Sequence, residues 1–507
     1  MALKVYNTLS KKKEELVPGV PQQVKIYACG PTTYNFIHLG NARPLVVFDT
    51  IRRYLEYKGY QVTYVQNFTD IDDKIINKAK LENMDPHDLA EKYIGEYFRD
   101  ADALRVKRAD VHPRATEHIP EMLEMVNVLY EKGIAYEADG DVYFSVRKFP
   151  EYGKLSGRTL DEMLSGARVD VDERKDDPLD FVLWKAAKPG EPSWESPWGQ
   201  GRPGWHLECS VMSLKYLGSG FDIHGGGSDL IFPHHENEIA QAEAYTGSAP
   251  FARCWIHNGF VTVDQEKMSK SLGNFFIVRE LLHEWAPEIL RFFLLSTHYS
   301  SPLDYSTKSL KSARKSYSRL SNTLELLDSI LDGEQGEADR SIPSNVDAFR
   351  RRIDSCAAQY EEAMDDNFNT ALGLAALFDM GREINGFVND KDFVPTPAVI
   401  HTLVQVRKTF QELLDTLGLL PGEKRQLAPE YGERLQEIAL SLKDVAGDLL
   451  PDQLPHAPEE MLDTLITVRQ EARVRKHFQL ADQLRNALKE EGIILEDTPR
   501  GTHWRLV

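Results

Sequence analysis

Cysteine is scarce: Cys29, Cys209, Cys254 and Cys356 are the four thiols in 507 residues. Spread so thinly, they exclude a disulfide-built scaffold and make reduced thiols the expectation. Long apolar runs are missing too, so no segment reads as a membrane-spanning helix. The stretch from Met1 to Pro18 is rich in lysine and glutamate and has no apolar core of signal-peptide length. A soluble, cytoplasmic protein is expected. Positive charge is also in deficit, with 60 Lys and Arg against 79 Asp and Glu and a formal net charge of −19. That balance argues against a protein that coats nucleic acid nonspecifically, although it leaves room for a local basic face. With 42% hydrophobic residues, the chain is long enough for a sizeable core and two or more domains.

Two grammars follow one another along the chain. Up to about Leu310 there are short β-like runs at Val24–Cys29, Gln61–Gln66, Phe221–His224 and Gly259–Val263, alternating with helical patterns. One helix is predicted over Pro44–Lys58, with Leu45, Phe48, Ile51 and Leu55 on one face and Pro44 in its first turn. Strand, turn, helix, strand is the opening of a doubly wound α/β domain. After Leu310, Tyr317, Leu320, Leu324, Leu327 and Leu331 recur at helical spacing, which predicts a helical bundle reaching about Leu420. A Pro- and charge-bearing stretch leads to about Glu460. A basic helix over Arg469–Glu491 and a β-like tail ending at Trp504 then read as a small separate module.

Two segments carry nucleotide chemistry. Between the first strand and the first helix lies Tyr27-Ala-Cys-Gly-Pro-Thr-Thr-Tyr-Asn-Phe-Ile-His38-Leu39-Gly40-Asn41. Amides at a helix N-terminus attract phosphate, His38 can donate to it, and Gly40 permits close approach. An ordinary turn is the competing reading. Far downstream, Lys267-Met268-Ser269-Lys270-Ser271 follows a strand and a polar turn. Two lysines in a small loop can neutralise charge on a departing polyphosphate, where the plainer reading is a solvated loop.

A metal reading arises from the residues as well. His234 and Glu238 stand four apart just after Pro233, a favourable first helical residue, so both project from one face. Cys29, at the carboxyl end of a strand, and Cys209 offer two thiolates, and S₂N donors with one oxygen suit Zn²⁺. Buried structural cysteines and a solvated polar helix face compete with that reading on sequence alone. Cys254 and Cys356 match no motif and read as ordinary buried thiols.

The two signature strings resemble the paired nucleotide-binding motifs of class I aminoacyl-tRNA synthetases. Asn67-Phe-Thr-Asp-Ile-Asp-Asp-Lys74, Gly204-Trp-His-Leu-Glu-Cys209, His224-Gly-Gly-Gly-Ser-Asp229 and Phe232-Pro-His-His-Glu-Asn-Glu238 are similar to the cysteinyl-tRNA synthetase family. So are Leu290–Tyr299, Met364–Thr370 and Leu495–Trp504, and the likeness therefore spans nearly the whole chain. It departs at Asn41, where the class commonly has histidine, and in the segment of about 421–460, which reads as longer than usual.

The resemblance implies a class I Rossmann-like catalytic domain over 1–310, with an insertion at about 121–223 and a signature loop at 267–271. It implies a tRNA-contacting helical bundle over 311–420. A variable segment and an anticodon-binding module are expected over 421–507, where Arg469, Arg473, Arg475, Lys476, Trp504 and Arg505 suit a single-stranded loop. The implied activity joins L-cysteine to tRNA(Cys) through cysteinyl-adenylate, with ATP and Mg²⁺. One zinc per chain, on Cys29, Cys209, His234 and Glu238, is expected to bind the substrate thiolate. His38, Asn41, Lys267 and Lys270 are implied as catalytic. Gly40, Gly226, Asp229 and Ser269 join them in holding the nucleotide, while Gly30, Thr69, Trp205 and His206 are expected around cysteine. His235 or His206 could support the metal ligands from behind. A monomer is expected. The rivals are a cysteine ligase acting on an amino sugar, a zinc hydrolase, which Lys267–Ser271 does not fit, and a noncatalytic RNA-binding descendant.

Overall fold

The computed structural model describes residues 2–166, 174–263, 266–267, 275–332, 344–422, 427–451, 453–498 and 501–506. The chain divides into two compact units, Met1–Leu420 and Pro421–Val507.

The first unit opens with an antiparallel hairpin, β1 (Lys4–Asn7) and β2 (Lys12–Glu15), followed by β3 (Gln23–Ala28), α1 (Leu39–Tyr57) and β4 (Gln61–Gln66). Far downstream come α2 (Trp205–Leu217), β5 (Phe221–Gly227), α3 (Glu236–Thr246) and β6 (Ala252–Asn258). The four later strands form one parallel sheet in the order β6-β5-β3-β4. Parallel strands are covered on both faces, and β3 shows it: Ile26 and Ala28 join one hydrophobic cluster, while Tyr27 joins another on the opposite face. On the first face α1 buries Leu45, Phe48, Ile51 and Leu55, as the spacing predicted. That helix begins at Leu39 rather than Pro44. A capping box at His38 nucleates it five residues early, and Pro44 sits inside it.

Between β4 and α2 lie the helices Asp73–Glu82, Pro86–Ala103 and Ile119–Glu131 and an antiparallel sheet built from Ala135–Ala138, Asp141–Phe144, Phe181–Ala186 and Gly201–Pro203. The helices Thr307–Leu331, Ser344–Asp365, Thr370–Val388 and Pro397–Thr416 share a hydrophobic cluster with the α1 face of the sheet, so Leu310 is not the edge of a compact unit.

In the second unit the predicted helix over Arg469–Glu491 is two helices, Pro458–Val474 and Phe478–Glu490. The chain breaks between them at Lys476, whose φ is 63°. The segment around 421–460 holds a helix at Glu430–Ser441. A hairpin of Ile493–Thr498 and Gly501–Leu506 completes the unit. Arg469 is buried there rather than presented to a ligand, whereas Arg473, Arg475 and Lys476 are exposed. Cys254 and Cys356 are buried, as expected. Among the described residues no helix is long and apolar enough to cross a membrane.

One buried ion pair ties the sheet to the helices that follow it. Arg291, on the helix Pro287–Leu295, donates to Asp49 of α1 at 2.7 Å with both side chains fully buried, and to the carbonyls of Leu104 and Leu417. Arg53 donates to the same Asp49 oxygen. Removing Arg291 leaves the buried Asp49 charge to Arg53 alone and strips the Leu104 and Leu417 carbonyls of a donor. Arg291→Met is therefore expected to destabilise the first unit by about 3–5 kcal/mol. Urea unfolding followed by tryptophan fluorescence measures it, and a loss under about 1 kcal/mol would show that the pair is replaceable.

Candidate active site and metal centre

A cleft of about 350 Å³ opens at the carboxyl ends of β3 and β5, lined by Cys29, Gly30, His38, Gly40, Asn41, Trp205, Gly226 and Asp229 among others. Open α/β sheets bind ligands in this position. The N-terminus of α1 faces it through a reciprocal cap. His38 Nδ1 accepts from the Asn41 backbone N–H at 3.2 Å, and Asn41 Oδ1 accepts from the His38 backbone N–H at 3.2 Å. An accepting Nδ1 places the imidazole proton on Nε2. Asn41 thus has a role that needs an oxygen acceptor, and its amide nitrogen remains to address a ligand. Two glycines bring backbone close: a Cβ on Gly30 would lie 1.6 Å from the Asn67 carbonyl oxygen, and one on Gly226 would lie 2.8 Å from Leu230.

The far wall of the cleft is fastened by Arg43. This buried α1 side chain donates to the carbonyls of Gly259 and Phe260 at 2.9 Å and to that of His298 at 3.3 Å. Beyond that wall, Glu266–Lys267 pairs with Thr262–Val263. The Leu39 N–H donates to Phe276 and the Val278 N–H to Ile37, and Phe275 lines the cleft. The segment 268–274, with Ser269 and Lys270, lies outside the described residues, as does the Lys267 side chain. Its upstream flank is held by Thr262–Val263, and its downstream flank is anchored beside the His38 turn.

At the base of the cleft, Cys29, Cys209, His234 and Glu238 converge, with one ligand atom from each lying within 4.8 Å of every other. They come from the end of β3, from α2 and from the turn entering α3. Phe232 is extended at φ −138° and ψ 131°, and the helical path resumes at Pro233 and runs into α3. The Cys29 and Cys209 sulfurs are 3.7 Å apart, Cys29 Sγ is 3.6 Å from Glu238 Oε1, and that oxygen is 3.0 Å from His234 Nε2. Two metal–sulfur bonds of about 2.3 Å at the tetrahedral angle place sulfurs about 3.8 Å apart. The donor atoms are therefore spaced to share one ion.

The electrostatics of the cluster favour a cation. Burial pulls the His234 imidazole down, but the Glu238 carboxylate and Cys209 outweigh it and raise it to about 10. Burial alone would raise Glu238, yet His224 and His234 hold it well below the carboxylate range. The two thiols share one proton. Burial and the neighbouring Cys209 and Glu238 push Cys29 up, while Cys29 and His234, donating to it, lower Cys209 to about 6 against its own burial. No lysine or arginine figures among the largest influences on these four groups.

A second donor set, Cys29, His224, His235 and Glu238, meets the same distance criterion. Its histidines are fully buried behind the first set. Trp205, by contrast, lines the cleft and stacks on His234 with ring centroids 4.1 Å apart. The first set therefore borders the open side, and the second supports it. His224 Nε2 lies 2.7 Å from Glu238 Oε2 and fixes that carboxylate. His206 Nδ1 lies 2.9 Å from His234 Nδ1. His235 Nε2 is 3.2 Å from Cys29 Sγ, while its Nδ1 lies 2.8 Å from Nε2 of His257.

Of the residues expected around the amino acid, Gly30 and Trp205 line the cleft, and Trp205 is 38% exposed rather than core. Thr69 is buried, donating to Glu208 at 2.6 Å, and is not among the lining residues. Lys74 and Tyr97 line the cleft without having been singled out, and His224 and His257 were missed as supports of the metal set.

Comparison with known proteins agrees with this geometry. The model of the tRNA synthetases class I (C) catalytic domain matches residues 15–315, and the DALR domain model matches 359–421. Cysteine–tRNA ligase of Desulforudis audaxviator is 53% identical over 99% of this chain and all of that protein. Cysteine–tRNA ligase of Pelotomaculum thermopropionicum is 55% identical over 99% of each. In fold, a Mycobacterium tuberculosis methionyl-tRNA synthetase aligns with a TM-score of 0.61 at 16% identity, covering 78% of this chain and 91% of its own. With the family model over more than half its length and such relatives over all of it, the chain belongs to the cysteine–tRNA ligase family of class I tRNA synthetases.

Proposed function

We propose that the chain activates L-cysteine with ATP and passes it to tRNA(Cys). The observation that carries the reading is a thiolate-rich donor set at the base of a class I nucleotide cleft. The full-length likeness to cysteine–tRNA ligases agrees with it. The amino-sugar ligase reading is not favoured, because these relatives match the chain through its second unit.

In the first step an oxygen of the cysteine carboxylate attacks the α-phosphorus of ATP, the bond to the β-phosphate oxygen breaks, and pyrophosphate leaves with Mg²⁺. His38 Nε2–H, the Asn41 amide and the amides at the start of α1 are suited to the phosphates. Gly226 and Asp229 are suited to the adenosine, and Lys267, Ser269 and Lys270 to the departing pyrophosphate. Gly30, Trp205 and His206 surround the amino acid, with Thr69 acting from behind. A hydroxyl of the terminal adenosine of tRNA then takes the acyl group. No side-chain nucleophile is required, so orientation and charge supply the catalysis. The exposed Arg473, Arg475 and Lys476, beside an exposed Phe478, suit an unpaired RNA loop.

Cys29, Cys209, His234 and Glu238 are the residues that would hold zinc. Bound there, zinc supplies a strong bond to a thiolate that the hydroxyl of serine cannot match, a discrimination that shape alone would make only modestly.

Pyrophosphate exchange with each of the twenty amino acids tests the activity directly, cysteine being expected to dominate. Cys209→Ser and His234→Ala are expected to lose bound zinc and cysteine activation together; a metal-free preparation that still strongly prefers cysteine over serine would refute the metal reading. Zinc uptake by metal-free protein at pH 8 should release one proton from His234 and one from Cys29, since Cys209 is already ionised above pH 6. Affinity should therefore fall as pH falls, and calorimetry in buffers of different ionisation enthalpy counts the protons. Lys270→Ala is expected to slow exchange by at least about tenfold with a smaller effect on cysteine affinity. A chain ending at Leu420 should keep activation and lose tRNA charging, and equal loss of both in a folded truncation would give the second unit a structural role instead.

A further inference from the structure

The line of contacts from Cys29 through His235 and His257 leaves the metal site and ends at Thr8, whose hydroxyl oxygen lies 2.8 Å from His257 Nδ1. We propose that Thr8 is a positioning residue for the metal centre: its hydroxyl donates into this line and fixes which nitrogen of each ring carries the proton, leaving His235 Nε2–H aimed at the Cys29 sulfur. The inference rests on the zinc reading above and deepens it.

Each link leaves one choice. A thiolate bound to a metal accepts hydrogen bonds and has no proton to give. His235 Nε2, 3.2 Å from Cys29 Sγ, must therefore carry a proton, or its lone pair would face the thiolate. A neutral imidazole has a single N–H, and both rings are buried with their facing nitrogens 2.8 Å apart, where only one of the two can carry a proton. His235 Nδ1 is then bare and accepts from His257 Nε2 at 2.8 Å. That transfer of roles leaves His257 Nδ1 bare in turn. Thr8 Oγ1 faces it, and a hydroxyl can rotate its proton to suit. The N-terminal hairpin delivers this group rigidly. Asn7 donates to the Arg253 carbonyl at 2.9 Å and accepts from the Trp255 N–H at 3.0 Å, while the Thr8 N–H donates to the Trp255 carbonyl at 2.9 Å. A hairpin docked on the edge of β6 thereby sets the orientation of a ring that touches a ligand of the metal. The N–H···S bond it secures draws charge from Cys29 in a set that already holds two sulfurs and a carboxylate.

The test uses the full-length zinc-loaded protein, with zinc affinity measured by competition against a chromophoric chelator. Thr8→Val keeps the shape and deletes the donor, and is expected to weaken zinc binding by about tenfold, the low end for partners that orient metal ligands. Thr8→Ser restores the donor and should restore the affinity. A Thr8→Val protein that holds zinc as tightly as wild type overturns the proposal, even if it melts at a lower temperature with and without zinc, because that pattern belongs to a purely structural threonine. Nitrogen-15 NMR of histidine-labelled, zinc-loaded wild type decides the matter if the valine variant fails to fold. Both His235 and His257 should be protonated at Nε2, and an Nδ1–H form of either overturns the proposal. Should the wild type bind no zinc, the zinc reading falls and this one with it. If wild type binds zinc and the valine variant binds it equally, the relay alone falls.

Discussion

A fully buried carboxylate is costly unless its charge is met, and Glu238 is such a group. One of its oxygens faces His224 of β5, and the other faces His234 and Cys29. The end of β3, strand β5 and the turn entering α3 are thereby fixed against one side chain. The turn that carries it is held from outside as well. The neighbouring Glu236 accepts the N–H groups of Gly153, Leu155 and Ser156, and Tyr152 donates to Asn237. The inserted region therefore grips the same turn of α3 that presents His234 and Glu238 to the cleft. The charge of Glu238 is met within the cluster by His224 and His234.

The parts of this arrangement that were legible in the sequence were local ones. His234 and Glu238 announce themselves by a spacing of four, and α1 by the period of Leu45, Phe48, Ile51 and Leu55. Cys29 and Cys209 are 180 positions apart, and no periodicity carries that contact; the family resemblance supplied it. His224 and His257 were missed because each sits in a β-run with other polar residues, Asp222 in one and Arg253 and Asn258 in the other, and nothing local singles it out. Only the parallel register, which sets Trp255 beside His224 and His257 beside Gly226, gathers them behind the metal set. The start of α1 was misjudged because Pro44 is the stronger local signal, while the cap that overrides it requires a histidine to act as an acceptor. The break at Lys476 had no glycine to mark it, since a lysine there takes up a positive φ.

Asn41 shows how a departure from a motif can be absorbed. In the capping box its carbonyl oxygen accepts the His38 N–H, which a protonated histidine could not do. The companion bond of the box, from the Asn41 backbone N–H to His38 Nδ1, holds His38 as the tautomer whose proton is on Nε2. The substitution therefore trades a possible positive charge for a fixed neighbour.

The donor cluster and the open cleft meet across one peptide bond. Cys29 turns its sulfur into the donor cluster, and Gly30, about 3.8 Å further along the chain, lines the nucleotide cleft with no side chain in the way. Strand β5 repeats the arrangement: His224 reaches back to Glu238, and two residues on, Gly226 omits the side chain that would strike Leu230 and His235. Strands β3 and β5 thus each place a group of the donor cluster and, one or two residues on, a bare backbone that opens the cleft.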